Sequence, residues 1–162
     1  MSTDAFARFT QTDSLSNSIP TSQSMKNCIT LIDDNEAVLK ALTLVLKALG
    51  YSVSAFVDPL EAVFKVQTTH TLDVNNLFAL ITDVRMYPIS GTEITKLIRK
   101  NLPHLPIILI SGDAEAQDIE QFIVKDAFTQ FLQKPFTPQE LQKKLSSFSN
   151  TDSSQLKLTR AS

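Results

Sequence analysis

The stretch that most constrains this chain is Leu77-Phe78-Ala79-Leu80-Ile81, which runs without a break into Thr82 and Asp83. A short apolar run with no polar alternation offers no face to solvent. It reads as a strand covered on both sides, the situation of a parallel sheet. Such a strand needs other strands at its edges and helices above and below it. Arg85, Met86 and Pro88 turn the chain just beyond, leaving Asp83 at the strand's carboxyl end. Open α/β sheets place their ligands at that end.

The rest of the chain supplies the missing neighbours. Cys28 to Ile32 is a short apolar run closing on Asp33-Asp34, hence a first strand. Asn35 or Asp34 can cap a helix from Glu36 to Leu49, with Val38, Leu42, Val45, Leu46 and Leu49 at helical spacing and Gly50 as its stop. Tyr51 to Phe56 alternates and reads as a second strand. Asp58-Pro59 is an N-cap followed by proline, opening a helix to Gln67, and Thr68 to Asn76 is a long polar loop. After Gly91, the residues Ile94, Leu97 and Ile98 mark a third helix that ends near Leu102, before Pro103 and Pro106. Ile107 to Ile110 is a fourth strand closing on Ser111-Gly112-Asp113, and Ala116, Ile119 and Ile123 give the next helix its stripe. Ala127 to Leu132 is a fifth strand leading into Lys134-Pro135-Phe136. Thr137-Pro138-Gln139-Glu140 is a capping box, and Leu141, Leu145 and Phe148 continue the last helix. Five strands alternating with five helices predict an α/β domain with a parallel sheet covered on both faces. The alternation alone does not give the strand order.

Composition narrows the function classes. A chain of 162 residues with 43% hydrophobic and 20% charged residues suits one ordinary globular domain. The formal net charge of -2 implies no general attraction to nucleic acid or anionic lipid. Cys28 is the only cysteine, which excludes an intramolecular disulfide and the common zinc patterns, and it reads as a small core residue. No apolar run approaches the roughly 20 residues of a membrane span, and no signal peptide is recognisable, so a cytoplasmic address is expected. Residues 1–24 hold ten Ser or Thr and only three charges, predicting a disordered tail before a domain at 25–148. Residues 149–162 are polar again and are expected to form a flexible C-terminal tail. His70 and His104 match no metal or catalytic spacing and read as surface loop residues.

The polar residues with chemical potential fall at the carboxyl ends of four predicted strands. Asp33 and Asp34 follow the first, Asp83 ends the third, Ser111 follows the fourth and Lys134 the fifth. In a parallel sheet those ends share one edge, so distant residues can converge. Taken singly, Asp33-Asp34 is a helix cap, Asp83 or Ser111 a turn residue and Lys134 a solvated lysine. All four together, at one edge, are a constellation. Three carboxylates brought together repel unless a cation intervenes, and Mg2+ prefers such hard oxygen ligands while keeping its waters. A carboxylate nucleophile, a divalent cation, an ammonium and a hydroxyl are the parts that phosphoryl transfer uses. Asp83 is the candidate phosphoryl acceptor.

On these motifs, residues 27–148 resemble the receiver domain of two-component response regulators, including the chemotaxis regulators. The acidic pair Asp33-Asp34, the acceptor motif Asp83-Val84-Arg85-Met86, the hydroxyl motif Ser111-Gly112 and the motif Lys134-Pro135-Phe136 occur in order and at compatible spacing. The resemblance implies a flavodoxin-like, doubly wound sheet in the order 2-1-3-4-5. It implies phosphoryl transfer to Asp83 from a sensor histidine kinase or a histidine phosphotransfer protein. Mg2+ would be held by Asp33, Asp34, Asp83 and the main-chain carbonyl of Arg85. Lys134 would pair with the phosphoryl group, Ser111 would hydrogen-bond it, and Phe131 matches the aromatic that switches inward with the hydroxyl.

Three departures from the family pattern stand out. Tyr87 intervenes before Pro88 although Gly91 keeps its distance, the segment from Asp34 to Asp83 is longer than usual, and Asp126 stands where glycine is common. None removes a reactive group. With about fourteen polar residues after the last helix, the expectation is a stand-alone receiver, not itself an enzyme. Its output would pass by protein contact through the fourth helix, fifth strand and fifth helix, with Phe122 and Val124 as exposed contacts, and without direct nucleic-acid or membrane binding. The alternatives are a phosphate-independent pseudo-receiver, the receiver fragment of a longer transcriptional regulator, and a Mg2+-dependent phosphatase acting on small substrates.

Overall fold

The computed structural model describes residues 27–68, 77–112, 119 and 122–158, with side chains to residue 148. Five strands form one sheet: β1 (Cys28–Ile32), β2 (Ser52–Phe56), β3 (Leu77–Asp83), β4 (Ile107–Ser111) and β5 (Thr129–Gln133). Four helices have defined bounds: α1 (Glu36–Ala48), α2 (Pro59–Thr68), α3 (Gly91–Arg99) and α4 (Pro138–Leu158). All pairings are parallel and the order is β2-β1-β3-β4-β5. This is the doubly wound, flavodoxin-like sheet, with its topological switch between β1 and β3.

The apolar run of β3 is covered on both faces because its side chains alternate between two cores. Ala79 and Ile81 join Ile29, Leu31, Ile108 and Ile110 on the face packed by α1 and α4, through Leu42, Leu46, Leu141 and Leu145. Leu80 joins Ile32, Ile107 and Leu109 on the other face, against Ala62 and Val66 of α2, Ile94 and Ile98 of α3, and Ile119. Truncating any of these leucines or isoleucines to alanine would cost about 2–5 kcal/mol, so the sheet edge carrying Asp83 rests on a stiff base.

The caps predicted from sequence form. Asn35 Oδ1 accepts from the backbone N–H of Ala37 and Val38, and Asp58 Oδ1 from Leu60 and Glu61. Thr137 and Glu140 make the reciprocal capping box. Gly50 ends α1 at φ 93°, a conformation that side chains with a Cβ resist. A second capping box, Ser90 with Glu93, opens α3.

Several details differ from the sequence reading. The buried stripe of α1 is Leu39, Leu42 and Leu46, whereas Val38 and Val45 are only partly buried. β5 starts at Thr129 and not at Ala127, because Asp126 folds residues 126–129 into a turn: its carbonyl accepts from the Thr129 N–H and its carboxylate from the Phe128 N–H. α4 stays helical to Leu158, since no Gly or Pro interrupts residues 149–158. Cys28 is half-buried, not a full core residue, with Sγ 3.7 Å from Ser54 Oγ. Of the proposed exposed pair, Val124 is 86% exposed, but Phe122 packs against the second core. His104 is an exposed loop residue whose ring tilts against Phe128. The N-terminal segment 1–24, most of the loop 68–76 with His70, Asp113, and Ala116 of the predicted fourth helix lie outside the described residues. Ile119, Phe122 and Ile123 do have helical backbone there.

Candidate functional site

The carboxyl edge of the sheet brings three of the predicted residues into contact. Asp83, the last residue of β3, is 8% exposed, and Asp33, directly after β1, is 3% exposed. β1 and β3 are neighbours, so these two acids face one gap at the switch point. Lys134, directly after β5, closes that gap. Its Nζ hydrogen-bonds Asp83 Oδ1 and lies 3.7 Å from Asp33 Oδ2. One ammonium is therefore shared by two buried carboxylates.

Backbone groups orient the acids. The Arg85 N–H donates to Asp83 Oδ2 at 2.9 Å, and the Asn35 N–H donates to Asp33 Oδ1 at 2.9 Å. The loop after β3 is closed by a 3.0 Å bond from the Gly91 N–H to the Val84 carbonyl, so the inserted Tyr87 leaves the loop intact and stands 87% exposed. Gly91 has a steric reason that the sequence did not reveal. A Cβ there would fall 2.2 Å from the Asp83 carbonyl oxygen, so only glycine lets α3 start this close to the reactive strand end.

Ser111 ends β4, and its carbonyl accepts from the Lys134 N–H at 2.7 Å, locking the hydroxyl-bearing and lysine-bearing turns together. Ser111 is 2% exposed, and its Oγ is buried with no hydrogen-bond partner among the described residues. An unpaired buried hydroxyl costs about 1–3 kcal/mol, and such groups persist where a ligand supplies the missing partner. Phe131 lies inside β5 opposite Leu109, half-buried against the second core. Asp34 is exposed and lines an open cleft of about 740 Å3 with Tyr87 and Pro88.

Electrostatics favour a further positive charge. Burial pushes the Asp33 carboxyl above its ordinary value, and the nearby charges of Asp83 and Asp34 push it the same way. The Asn35 N–H and Lys134 pull it back only in part. A compact hard cation answers that deficit. Among the described residues no three His, Cys, Asp or Glu side chains converge into a ready-made cage. Mg2+ does not ask for one, because it takes one or two carboxylates and keeps several waters. The donor set fits the ion.

The family model for the response regulator receiver domain matches residues 29–146. The chain belongs to this family. Over 118 residues it is 30% identical to the chemotaxis protein CheY1 of Helicobacter pylori, covering 71% of this chain and 90% of that protein. It is also 35% identical over 113 residues to the phosphoglycerate transport system transcriptional regulatory protein PgtA of Salmonella typhimurium, covering 70% of this chain but 26% of that protein. The receiver domain protein of Clostridium thermocellum superposes with a TM-score of 0.70 at 25% identity, over 78% of this chain and 96% of that one. Receiver domains are signalling phosphoacceptors that meet histidine kinases and downstream effectors and use Mg2+ at the phosphorylation site. The expected sheet order and the family resemblance both hold.

Proposed function

We propose that this receiver takes a phosphoryl group from the phosphohistidine of a sensor histidine kinase or histidine phosphotransfer protein onto Asp83. The observation that carries this reading is the shared ammonium: Asp83 and Asp33, both buried, are held by one Lys134, with Ser111, whose hydroxyl has no partner among the described residues, ending the neighbouring strand. An Asp83 oxygen forms the new O–P bond while the N–P bond of the donor breaks, and the departing imidazole nitrogen takes up a proton. The Arg85 N–H fixes the carboxylate for in-line attack. Lys134 then passes from the carboxylate to a phosphoryl oxygen, and Ser111 donates its hydrogen bond to another. Mg2+ bound by Asp33, Asp34, Asp83 and the main-chain carbonyl of Arg85 would neutralise charge on the equatorial oxygens. Movement of Ser111 toward the phosphoryl group vacates space beside β5 into which Phe131 turns.

The phosphorylated form signals through the helix ahead of β5, β5 itself and α4, to a protein partner and without direct nucleic-acid contact. Among the described residues no helix is long and apolar enough to cross a membrane, and the phosphorelay reading places the receiver at 25–148, between its two polar tails, in the cytoplasm. Hydrolysis of its own acyl phosphate, tuned by Arg85 and Asp113, resets the switch; there is no multiple-turnover activity on small phosphoesters. The similarity to part of a transcriptional regulator favours a second reading, in which the receiver is the input module of a longer protein.

A phosphate-sensitive gel after incubation with acetyl phosphate and MgCl2 tests the proposal. The wild type shifts and Asp83→Ala does not. Absence of any shift, or an equal shift in the variant, refutes it and leaves a phosphate-independent binding module.

A further inference from the structure

Thr82 is a polar residue at a place where the fold asks for an apolar one. It is 0% exposed and shares its strand face with Leu80 and Val84, both members of the second core. A buried hydroxyl costs free energy unless it is hydrogen-bonded, and valine has the same branched shape without that cost. Thr82 Oγ1 donates at 3.0 Å to the main-chain carbonyl of Asp83, and the bond is buried. The hydroxyl is therefore spent on the backbone of the acceptor residue itself.

That carbonyl has reason to need the partner. The pairing of β1 with β3 stops at Ile32 and Thr82, so the β1 ladder does not extend to Asp83. On another side Gly91 packs so close that a Cβ would fall 2.2 Å from the carbonyl oxygen, which leaves a water no room there. Gly91 is itself pinned, because its N–H donates to the Val84 carbonyl at 3.0 Å and its carbonyl accepts from the buried Thr95 hydroxyl at 2.8 Å. The peptide unit between Asp83 and Val84 is thus held at both ends. The Thr82 hydroxyl takes its carbonyl, and its N–H donates to the Ile110 carbonyl at 2.8 Å. The next N–H along the chain, that of Arg85, donates to Asp83 Oδ2 at 2.9 Å. Turning the peptide would shift the Arg85 N–H and, with it, the carboxylate oxygen it holds.

We propose that Thr82 is a positioning residue for the phosphoacceptor: its hydroxyl fixes the Asp83–Val84 peptide in the orientation that aims the Asp83 carboxylate for attack. Thr82 touches neither phosphodonor nor metal and acts through the backbone alone. Its effect on labelling rests on the phosphoacceptor reading, whereas its effect on the resting carboxylate does not.

Two variants divide the side chain between them. Thr82→Val keeps the branched shape and loses the hydroxyl. Thr82→Ser keeps the hydroxyl and loses the methyl that lies beside Gly91. Initial rates of labelling are measured against acetyl phosphate concentration in MgCl2. Misplacing a reacting group by about 1 Å can cost about 100-fold, so loss of one restraint predicts a maximal rate lower by about tenfold in Thr82→Val. The half-saturating concentration should not change, since Thr82 does not meet the donor. Thr82→Ser should label at close to the wild-type rate although the lost methyl lowers its Tm. Without any phosphodonor, the NMR resonance of the Asp83 carboxylate carbon should move in Thr82→Val and stay in Thr82→Ser. Comparing Thr82→Ser with Thr82→Ala isolates the hydroxyl a second time, should valine not be accommodated. A wild-type rate in Thr82→Val overturns the proposal, as does equal slowing in both variants, which would make Thr82 a packing residue only. Failure of the wild type to take any label overturns the phosphoacceptor reading instead. The carboxylate resonance then decides the positioning alone: movement in Thr82→Val but not in Thr82→Ser supports it, and any other pattern overturns it.

Discussion

Asp126 occupies a position where the receiver family often has glycine, and the structure gives it a network whose removal can be costed. Its carboxylate accepts from Arg99 Nε at 2.7 Å, from Thr129 Oγ1 at 2.6 Å and from the Phe128 N–H at 3.0 Å. Arg99 also donates to the carbonyls of Leu102 and Leu105 and to Thr129 Oγ1. Both side chains are 17% exposed. The pair thus ties the end of α3 and the loop before β4 to the start of β5. In Asp126→Ala the guanidinium keeps its carbonyls but loses its only carboxylate partner among the described residues. Breaking a fully buried pair costs about 3–5 kcal/mol and losing a charged hydrogen bond about 1.5–3 kcal/mol, so this partly exposed pair should cost about 2–3 kcal/mol. For a domain of this size that is a fall in Tm of roughly 10 °C. Burial alone would raise the Asp126 carboxyl, but Arg99, Thr129 and the Phe128 N–H together hold it below the usual range. A depressed carboxyl contributes stability above its unfolded value, lost as pH falls through the folded value. The gap between wild type and variant should therefore be constant from about pH 5 to 8 and close below about pH 4. Thermal melts followed by circular dichroism across that range measure it. A gap under about 0.5 kcal/mol at neutral pH, the size of an ordinary surface substitution, would refute the reasoning.

Three further outcomes follow from the site. Lys134→Met leaves Asp33 and Asp83 without their shared ammonium; with Lys134 a third exposed, the loss at pH 7 should be about 2 kcal/mol in EDTA and smaller in millimolar MgCl2, read from urea midpoints. Ser111→Ala removes a buried hydroxyl that has no partner among the described residues, so the resting fold should gain up to about 1 kcal/mol while labelling by acetyl phosphate slows. Gly91→Ala drives a methyl into the Asp83 carbonyl; it should lower stability by about 2 kcal/mol or more and slow labelling, and a melt unchanged from wild type would contradict the close approach.

What the sequence revealed depended on how local each cause is. The strands were legible because an uninterrupted apolar run such as Leu77–Ile81 has few other folded uses, and the caps at Asn35, Asp58 and Thr137 because their partners lie within three residues. The Ser90–Glu93 capping box is equally local, since its two residues lie three apart. The facing of α1 was not local: the sheet rotates Leu39 inward, a choice that helical periodicity alone leaves open among adjacent stripes. The Arg99–Asp126 clamp joins residues 27 apart and has no sequence signature, and the same turn moved the start of β5. At the site, the residue types and their common edge were readable from strand ends. The sharing of Lys134 by two acids, the orphaned Ser111 hydroxyl and the reason for Gly91 needed the packed edge itself.

The identity of the phosphorylated atom is the most direct test. Borohydride reduction after acetyl phosphate treatment converts an aspartyl phosphate to homoserine, which peptide mass spectrometry assigns to a single position. Homoserine at position 83, and at no other aspartate, is the predicted result. Homoserine at Asp33 or Asp34 instead, or none anywhere in labelled protein, would contradict the assignment of Asp83 as the acceptor.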